Sequence, residues 1–375
     1  MFFDTQNSVA SAVEDLHLPH EQVVVRHDRS SGLSAVIAIH NTQLGPAAGG
    51  CRRWSYINTD AAIEDALRLS EGMTYKNALA GIPFGGGKSV IIAEPGSTGP
   101  TPQQLEVFAG WLNELSGRYL TAEDVGMGIE QMRILAQHTQ YAAGLGHRGV
   151  GGDPSPKTAY GVFLGLQTAV QAALGQRSLR GVHVSVQGLG AVGMALCQHL
   201  HGAGAQLTVA DIDANRIAQA QSKFAAQTVS VEDIARVKAD VFAPCALGGV
   251  LHPESIAALD VAVVAGAANN QLLNDACGDL LRQRGILYAP DFVINAAGVI
   301  SVGQECLMRK DYFTHCDTHS LQRWVDVRIE GIVHRLRRIF QLADAQNCST
   351  DLAARRLAIQ VLNGNDQADV GVVAA

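Results

Sequence analysis

Residues Val182–Leu200 read VHVSVQGLGAVGMALCQHL, a short apolar run, then glycines at 188, 190 and 193, then the opening of a helix. In that setting each glycine has a separate reason. Gly188 permits the tight turn out of the strand, Gly190 lets backbone come close to a pyrophosphate, and Gly193 lets helix and strand pack. The helix N-terminus, with Ala191 and Val192 in its first turn, offers unpaired N–H donors and the positive end of a dipole to a phosphate. The next apolar run, Gln206–Asp211, ends in an acid 21 residues past the middle glycine (211 − 190). A carboxylate there accepts hydrogen bonds from ribose hydroxyls and repels a 2′-phosphate, which favours NAD over NADP. The plain alternative makes Asp211 a helix N-cap.

Outward from this stretch, short apolar runs at Asp240–Ala243, Val261–Ala265 and Gly285–Tyr288 alternate with helical patterns, which predicts a parallel, doubly wound sheet. A long helical stretch over Leu321–Leu342 and a short one over Asp351–Leu362 finish the fold. Upstream the pattern differs. VVVRHD and LSAVIAIH read as paired strands around Arg29–Gly32, and helices are expected over Asp60–Met73 and Thr101–Ser116. Between the halves, GLGHRGVGGDPSP (Gly144–Pro156) breaks the helical pattern and reads as a hinge.

A chain of 375 residues exceeds one comfortable core at roughly 150 residues per domain, so two domains are expected. Apolar residues make up 47% and charged residues 17%, the profile of a packed α/β enzyme. A net charge of −7 argues against a nucleic-acid partner. The seven scattered cysteines contain no CxxC and read as reduced thiols of a cytoplasmic protein rather than a zinc site, and no metal is expected. The opening MFFDTQNSVA lacks a basic or apolar leader pattern, and no run approaches the ~20 apolar residues of a membrane span.

The second informative stretch is MTYKNALAGIPFGGGKSVII, which holds Lys76 and Lys88. A phosphate-binding P-loop would need glycine where Ile82 stands, so that match fails. For either lysine taken alone, the ordinary expectation is a solvated side chain beside a turn. Against it, Lys88 lies between three glycines and an apolar run, where partial desolvation would move the amine toward neutrality and make it a general base. The acidic segment TAEDVG, with Asp124, offers a matching carboxylate that sequence alone cannot place beside it.

Taken in order, LGPAAGGCR, MTYKNALAG, GGGKSVI, TAEDVG, DPSPKTAYGV, VQGLGAVG, VFAPCALGG, VAGAANNQL and YAPDFVINAAGVI resemble the leucine, valine and phenylalanine dehydrogenases, relatives of glutamate dehydrogenase, from about Glu21 to the final helices. The resemblance implies two domains around a cleft: an α/β substrate-binding and oligomerisation domain (1–146, completed by 338–375) and a Rossmann-type NAD-binding domain (147–337). It implies a homo-oligomer acting on a small amino acid, with neither nucleic acid nor membrane as partner. Lys76 would pair with the substrate carboxylate beside Gly49, Lys88 would activate water, and Asp124 would exchange a proton with the amino group. Thr158 would contact the nicotinamide amide, and the Ala267–Asn269 and Asn295 segments would line the cofactor and substrate cleft, with loop capping as the alternative for the two asparagines.

The implied reaction is NAD-dependent oxidative deamination of a neutral L-amino acid to the 2-oxo acid and ammonia. Ala48, Ala122, Val299 and Val302 would set the side-chain pocket. Glutamate dehydrogenases carry a lysine at the place of Ala48, which an alanine cannot replace as partner for a distal carboxylate. Ala48 leaves room for an aromatic side chain while the two valines favour branched aliphatic ones, so leucine, valine or isoleucine rank first and phenylalanine second. Met127, Lys157 and Ala297 depart from the family pattern, and Ala297 puts a methyl beside a loop expected to face substrate. A catalytically impaired NAD-binding homologue and a hydroxy-acid dehydrogenase are the alternatives; the first need not keep Lys76, Lys88 and Asp124 together, and the second wants a His–acid pair that the 13 histidines do not display.

Overall fold

The computed structural model describes residues 18–146, 153–309 and 318–364. The opening segment, Cys316 and the 147–152 part of the expected hinge lie outside the described residues. Packing divides the described chain into two compact units, one of residues 18–146, 302–309 and 358–364, the other of 153–301 and 318–357.

The first unit is built on a five-stranded sheet of order β1-β2-β4-β3-β5: β1 Gln22–Asp28, β2 Leu33–Asn41, β3 Ala47–Trp54, β4 Gly85–Ile92 and β5 Tyr119–Ala122. β1 and β2 form the hairpin read from sequence, turned at Gly32 with φ 72°. Along β2 the period of two shows directly. Leu33, Ala35, Ile37 and Ile39 enter a core with Leu105, Phe108, Leu112, Met132 and Leu135, whose helices are Pro102–Glu114 and Ile129–His138. Val36 and Ala38 face the other way, onto Ala62 and Ala66 of the helix Thr59–Ala80. That helix starts where Asn58 accepts from the Ala61 amide (2.8 Å) and ends only at Gly81, whose φ of 65° suits the left-handed cap. It outruns the expected end at Met73 because nothing before Gly81 breaks it, and Lys76 is therefore helical.

GGGKSVII is an interior strand, antiparallel to β2 and parallel to β3. Glycine is a poor strand former, and the sequence reading treated these three as a turn. Neighbours explain them: a methyl on Gly86 would collide with Thr74 of the helix, and one on Gly87 with the Tyr119 ring on the opposite face. β3, AAGGCRRW, also went unread as a strand, for the same reason.

The second unit carries a six-stranded parallel sheet of order β11-β10-β9-β6-β7-β8, from β6 His183–Gln187, β7 Gln206–Ala210, β8 Gln227–Thr228, β9 Val241–Pro244, β10 Val263–Val264 and β11 Leu287–Tyr288. The strand order reverses on either side of β6, the switch point at which doubly wound sheets bind ligands. The long helix Thr318–Gln346 packs on Ser155–Leu174, and residues up to 357 group with this unit, where the sequence expectation drew its line at 338. No described helix is long and apolar enough to cross a membrane.

Candidate active site

In the first unit the site grows from the sheet face covered by the helix Thr59–Ala80. Alternation along β3 puts Ala48, Gly50 and Arg52 on one side of the strand, and β4 delivers Lys88. Lys76 and Lys88 are 9% and 6% exposed, so neither is a solvated surface lysine. The Lys88 ammonium is in direct contact with the Asp124 carboxylate, which the loop after β5 supplies. Burial works to raise the Asp124 carboxyl, but Lys88 and then Arg52 outweigh it and hold it below the usual carboxylate range. Oδ1 of Asp124 accepts from the Val125 amide (2.8 Å), which fixes the carboxylate's orientation. Asn77, beside Lys76 on the helix, donates to the Gly85 (2.6 Å) and Ala48 (3.3 Å) carbonyls and pins the ends of β4 and β3 to that helix. Tyr119 reaches under the sheet to the Gly49 carbonyl (2.8 Å) and lies 3.0 Å from the Ser89 hydroxyl. Ala48 and Ala122 are each half-buried.

In the second unit, Gly188 has φ 96°, a conformation open to glycine, and a methyl on Gly193 would strike the Gly188 carbonyl, whereas Gly190 has open space at the helix mouth. Ala191 and Val192 follow in the first turn of the helix Ala191–Gly202. A side chain at 190 would fill the cradle that a pyrophosphate needs, so these residues fit a dinucleotide. Asp211 accepts from the Leu189 amide (2.5 Å) and from the Asp213 amide (2.8 Å), tying the glycine loop to the end of β7. The N-cap role falls to Asp213, which accepts from Asn215 (2.8 Å). Asn295 is 5% exposed and donates to the Ala267 carbonyl (3.2 Å) and the Asn269 side chain (2.9 Å), which brings these three predicted residues together. Its Oδ1 is buried without a hydrogen-bond partner, an acceptor available to a bound ligand. The Thr158 hydroxyl donates to the Pro154 carbonyl (2.9 Å), leaving its lone pairs to accept.

Two predicted pocket residues, Val299 and Val302, lie three positions apart on the helix Ala297–Arg309 and are half-buried while Ile300 and Ser301 between them are buried. The departures from the family pattern each have a place. Met127 is fully buried in the core under the first sheet. The Ala297 methyl is fully buried, and a methyl added at Gly161 would come within 3.0 Å of it. Lys157 donates to Ser301 (3.0 Å), and burial lowers its pKa against the opposing pull of Asp326. Sequence reasoning gave no role to Arg52, Asn77 or Tyr119. Arg52 was the accessible one, because strand alternation from Ala48 would have put it on the same face.

Residues 19–141 match the Glu/Leu/Phe/Val dehydrogenase dimerisation domain, and residues 207–364 match Glutamate/Leucine/Phenylalanine/Valine dehydrogenase. The chain is 45% identical over 340 residues to leucine dehydrogenase of Geobacillus stearothermophilus, covering 90% of this chain and 89% of that one. It is 44% identical over 292 residues to phenylalanine dehydrogenase of Caldalkalibacillus thermarum, 76% of this chain and 79% of that one. The crystal structure of L-tryptophan dehydrogenase from Nostoc punctiforme matches with a TM-score of 0.78 at 40% identity, over 96% of this chain and all of that one. The chain belongs to the Glu/Leu/Phe/Val dehydrogenase family of amino-acid oxidoreductases.

Proposed function

We propose that the protein oxidatively deaminates a neutral L-amino acid with NAD, branched aliphatic substrates ranking first and phenylalanine second. The observation that carries this reading is the buried Lys88–Asp124 contact, a base and an acid held against one another where the family handles protons. Bound NAD supplies the acceptor for the substrate's Cα hydride. Lys76 pairs with the substrate carboxylate. Lys88 in its neutral form takes a proton from water as that water adds to the substrate iminium, and Asp124 passes a proton to the amino nitrogen so that ammonia departs. Direct contact lets the two side chains return the borrowed proton to each other.

On the cofactor side, Asp211 supports NAD over NADP, since a carboxylate beside the ribose repels a 2′-phosphate. The Thr158 hydroxyl, its own proton already committed, would accept from the carboxamide NH2 of bound NAD, and Asn295 Oδ1 would accept from a ligand donor. The relatives named for leucine, phenylalanine and tryptophan all support an uncharged substrate. Ala48, Ala122, Val299 and Val302 present no cation to a distal carboxylate, and a buried unpaired carboxylate is costly. The matched dimerisation domain supports self-association as a homo-oligomer.

The test is NAD reduction with a panel of L-amino acids at alkaline pH, tryptophan, glutamate and aspartate included. Leucine, isoleucine, valine or phenylalanine should lead; glutamate turning over faster than every neutral amino acid overturns the reading.

A further inference from the structure

We propose that Arg52, braced by Asp65 and Tyr56, is a positioning residue that returns Asp124 to its carboxylate form after each proton transfer, whatever the charge on Lys88. This rests on the reading of Lys88 and Asp124 as the proton-handling pair.

The guanidinium spans two carboxylates. Its Nη1 donates to Asp65 Oδ2 (3.0 Å), and its Nε lies 3.8 Å from Asp124 Oδ2. Asp65 is itself held, because Tyr56 donates to the same Oδ2 (2.6 Å) and Arg68 stands 3.6 Å from Oδ1. The three side chains Arg52, Asp65 and Asp124 are 20%, 15% and 16% exposed, so their fields are less screened than those of surface pairs. Arg52 Nε is buried without a hydrogen-bond partner, and the buried Asp124 Oδ2 that lies 3.8 Å from it is the oxygen that Lys88 contacts. Nε and Oδ2 are complementary and face one another, and a shift of less than ~1 Å closes them into a charge-assisted bond.

The chemistry gives this arrangement its use. Lys88 alternates between ammonium and amine as it takes and returns a proton, so its hold on Asp124 is intermittent. Arginine stays charged at every working pH. The groups that bear on Asp124 are Lys88 from β4, Arg52 from β3 and the Val125 amide of its own loop, with the Cys51 thiol and the Tyr119 phenol from the other side of the sheet within reach of its charge. Burial pushes the Cys51 thiol up to about 12 and raises the Tyr119 phenol above its ordinary range, so both stay neutral. Among them Arg52 is the permanent cation.

The test compares Arg52→Met, Arg52→Lys, Asp65→Asn and Asp124→Asn by the pH profile of kcat/KM, with NAD affinity from fluorescence and Tm as controls. Arg52→Met should lower kcat about tenfold and move the acidic limb up by about one pH unit, the low end for removing an opposite charge at this range. NAD affinity should hold. Arg52→Lys should restore part of the shift, and Asp65→Asn should give a smaller shift in the same direction. An Arg52→Met protein that binds NAD and superimposes on the native pH profile overturns the proposal. If that variant does not fold, an unmoved limb in Asp65→Asn and in Tyr56→Phe overturns it instead. Unimpaired turnover in Asp124→Asn would defeat the underlying pair, a separate result.

Discussion

Replacing Lys88 with alanine should separate catalysis from binding. The side chain is 6% exposed and its ammonium touches Asp124, so the change removes the proposed base and leaves a shielded carboxylate with Arg52 at 3.8 Å. Loss of a general base lowers kcat by at least ~10². Breaking a buried pair by deleting one partner costs about 3–5 kcal/mol. Asp124 is 16% exposed and keeps Arg52, which brings the expected loss down to roughly 1–3 kcal/mol. At roughly 2–4 °C per kcal/mol the Tm falls by several degrees. NAD affinity should stay within about twofold, because the glycine loop belongs to the other unit. Lys88→Arg sharpens the test: it keeps a cation beside Asp124 and should recover Tm, yet it cannot be deprotonated and should stay as slow as alanine. The measurements are NADH absorbance under saturating substrate, NAD titration by fluorescence, and thermal melts. Turnover of either variant within tenfold of native, with normal NAD binding, refutes the assignment of Lys88 as base.

Asp211→Ser alone should raise NADP affinity by about tenfold, because Arg216 already stands 3.9 Å from Asp211 and is ready to meet a 2′-phosphate; dinucleotide titration of Asp211→Ser beside Asp211→Ser/Arg216→Ala checks it, and equal NADP affinity in the two removes Arg216 from the account. Ala48→Leu should reduce kcat/KM for phenylalanine more than for valine, by an amount within the 1–3 kcal/mol that a methylene-sized change in an apolar pocket is worth; an equal loss on both substrates places Ala48 away from the side chain. Burial raises the Asp351 carboxyl to about 6, with Asp291 and Asp275 adding to the effect and Arg355 opposing it. A folded pKa above the unfolded ~3.9 means that the ionised group costs stability above about pH 6, a cost relieved as pH falls from 6 toward 4. Asp351→Asn should therefore raise Tm at pH 7 and bring little gain at pH 4.5, and melts showing the larger gain at the lower pH would contradict the sign.

What the sequence determined by itself is what depends on neighbours along the chain. The turn at Gly188, the close packing at Gly193 and the strand-to-helix setting around them are local, so the dinucleotide loop and the alternating half were legible from spacing. The β1–β2 hairpin was legible for the same reason, and the order of nine family segments carried the rest of the recognition. Tertiary structure decided whatever required two distant segments to meet. GGGK is a central strand because Thr74 and Tyr119 press on its two faces, and no propensity scale contains those contacts. Lys88 and Asp124 touch across 36 residues of sequence (124 − 88), which turns two unremarkable charges into an acid–base pair. The placement of Asp211 as a tie between loops, with Asp213 as the helix cap, also came from the fold, since either acid satisfies the pattern and only backbone geometry chooses between them. Spacing encodes periodicity, and periodicity fixes which face a residue occupies; what stands opposite that face is set by how the elements pack.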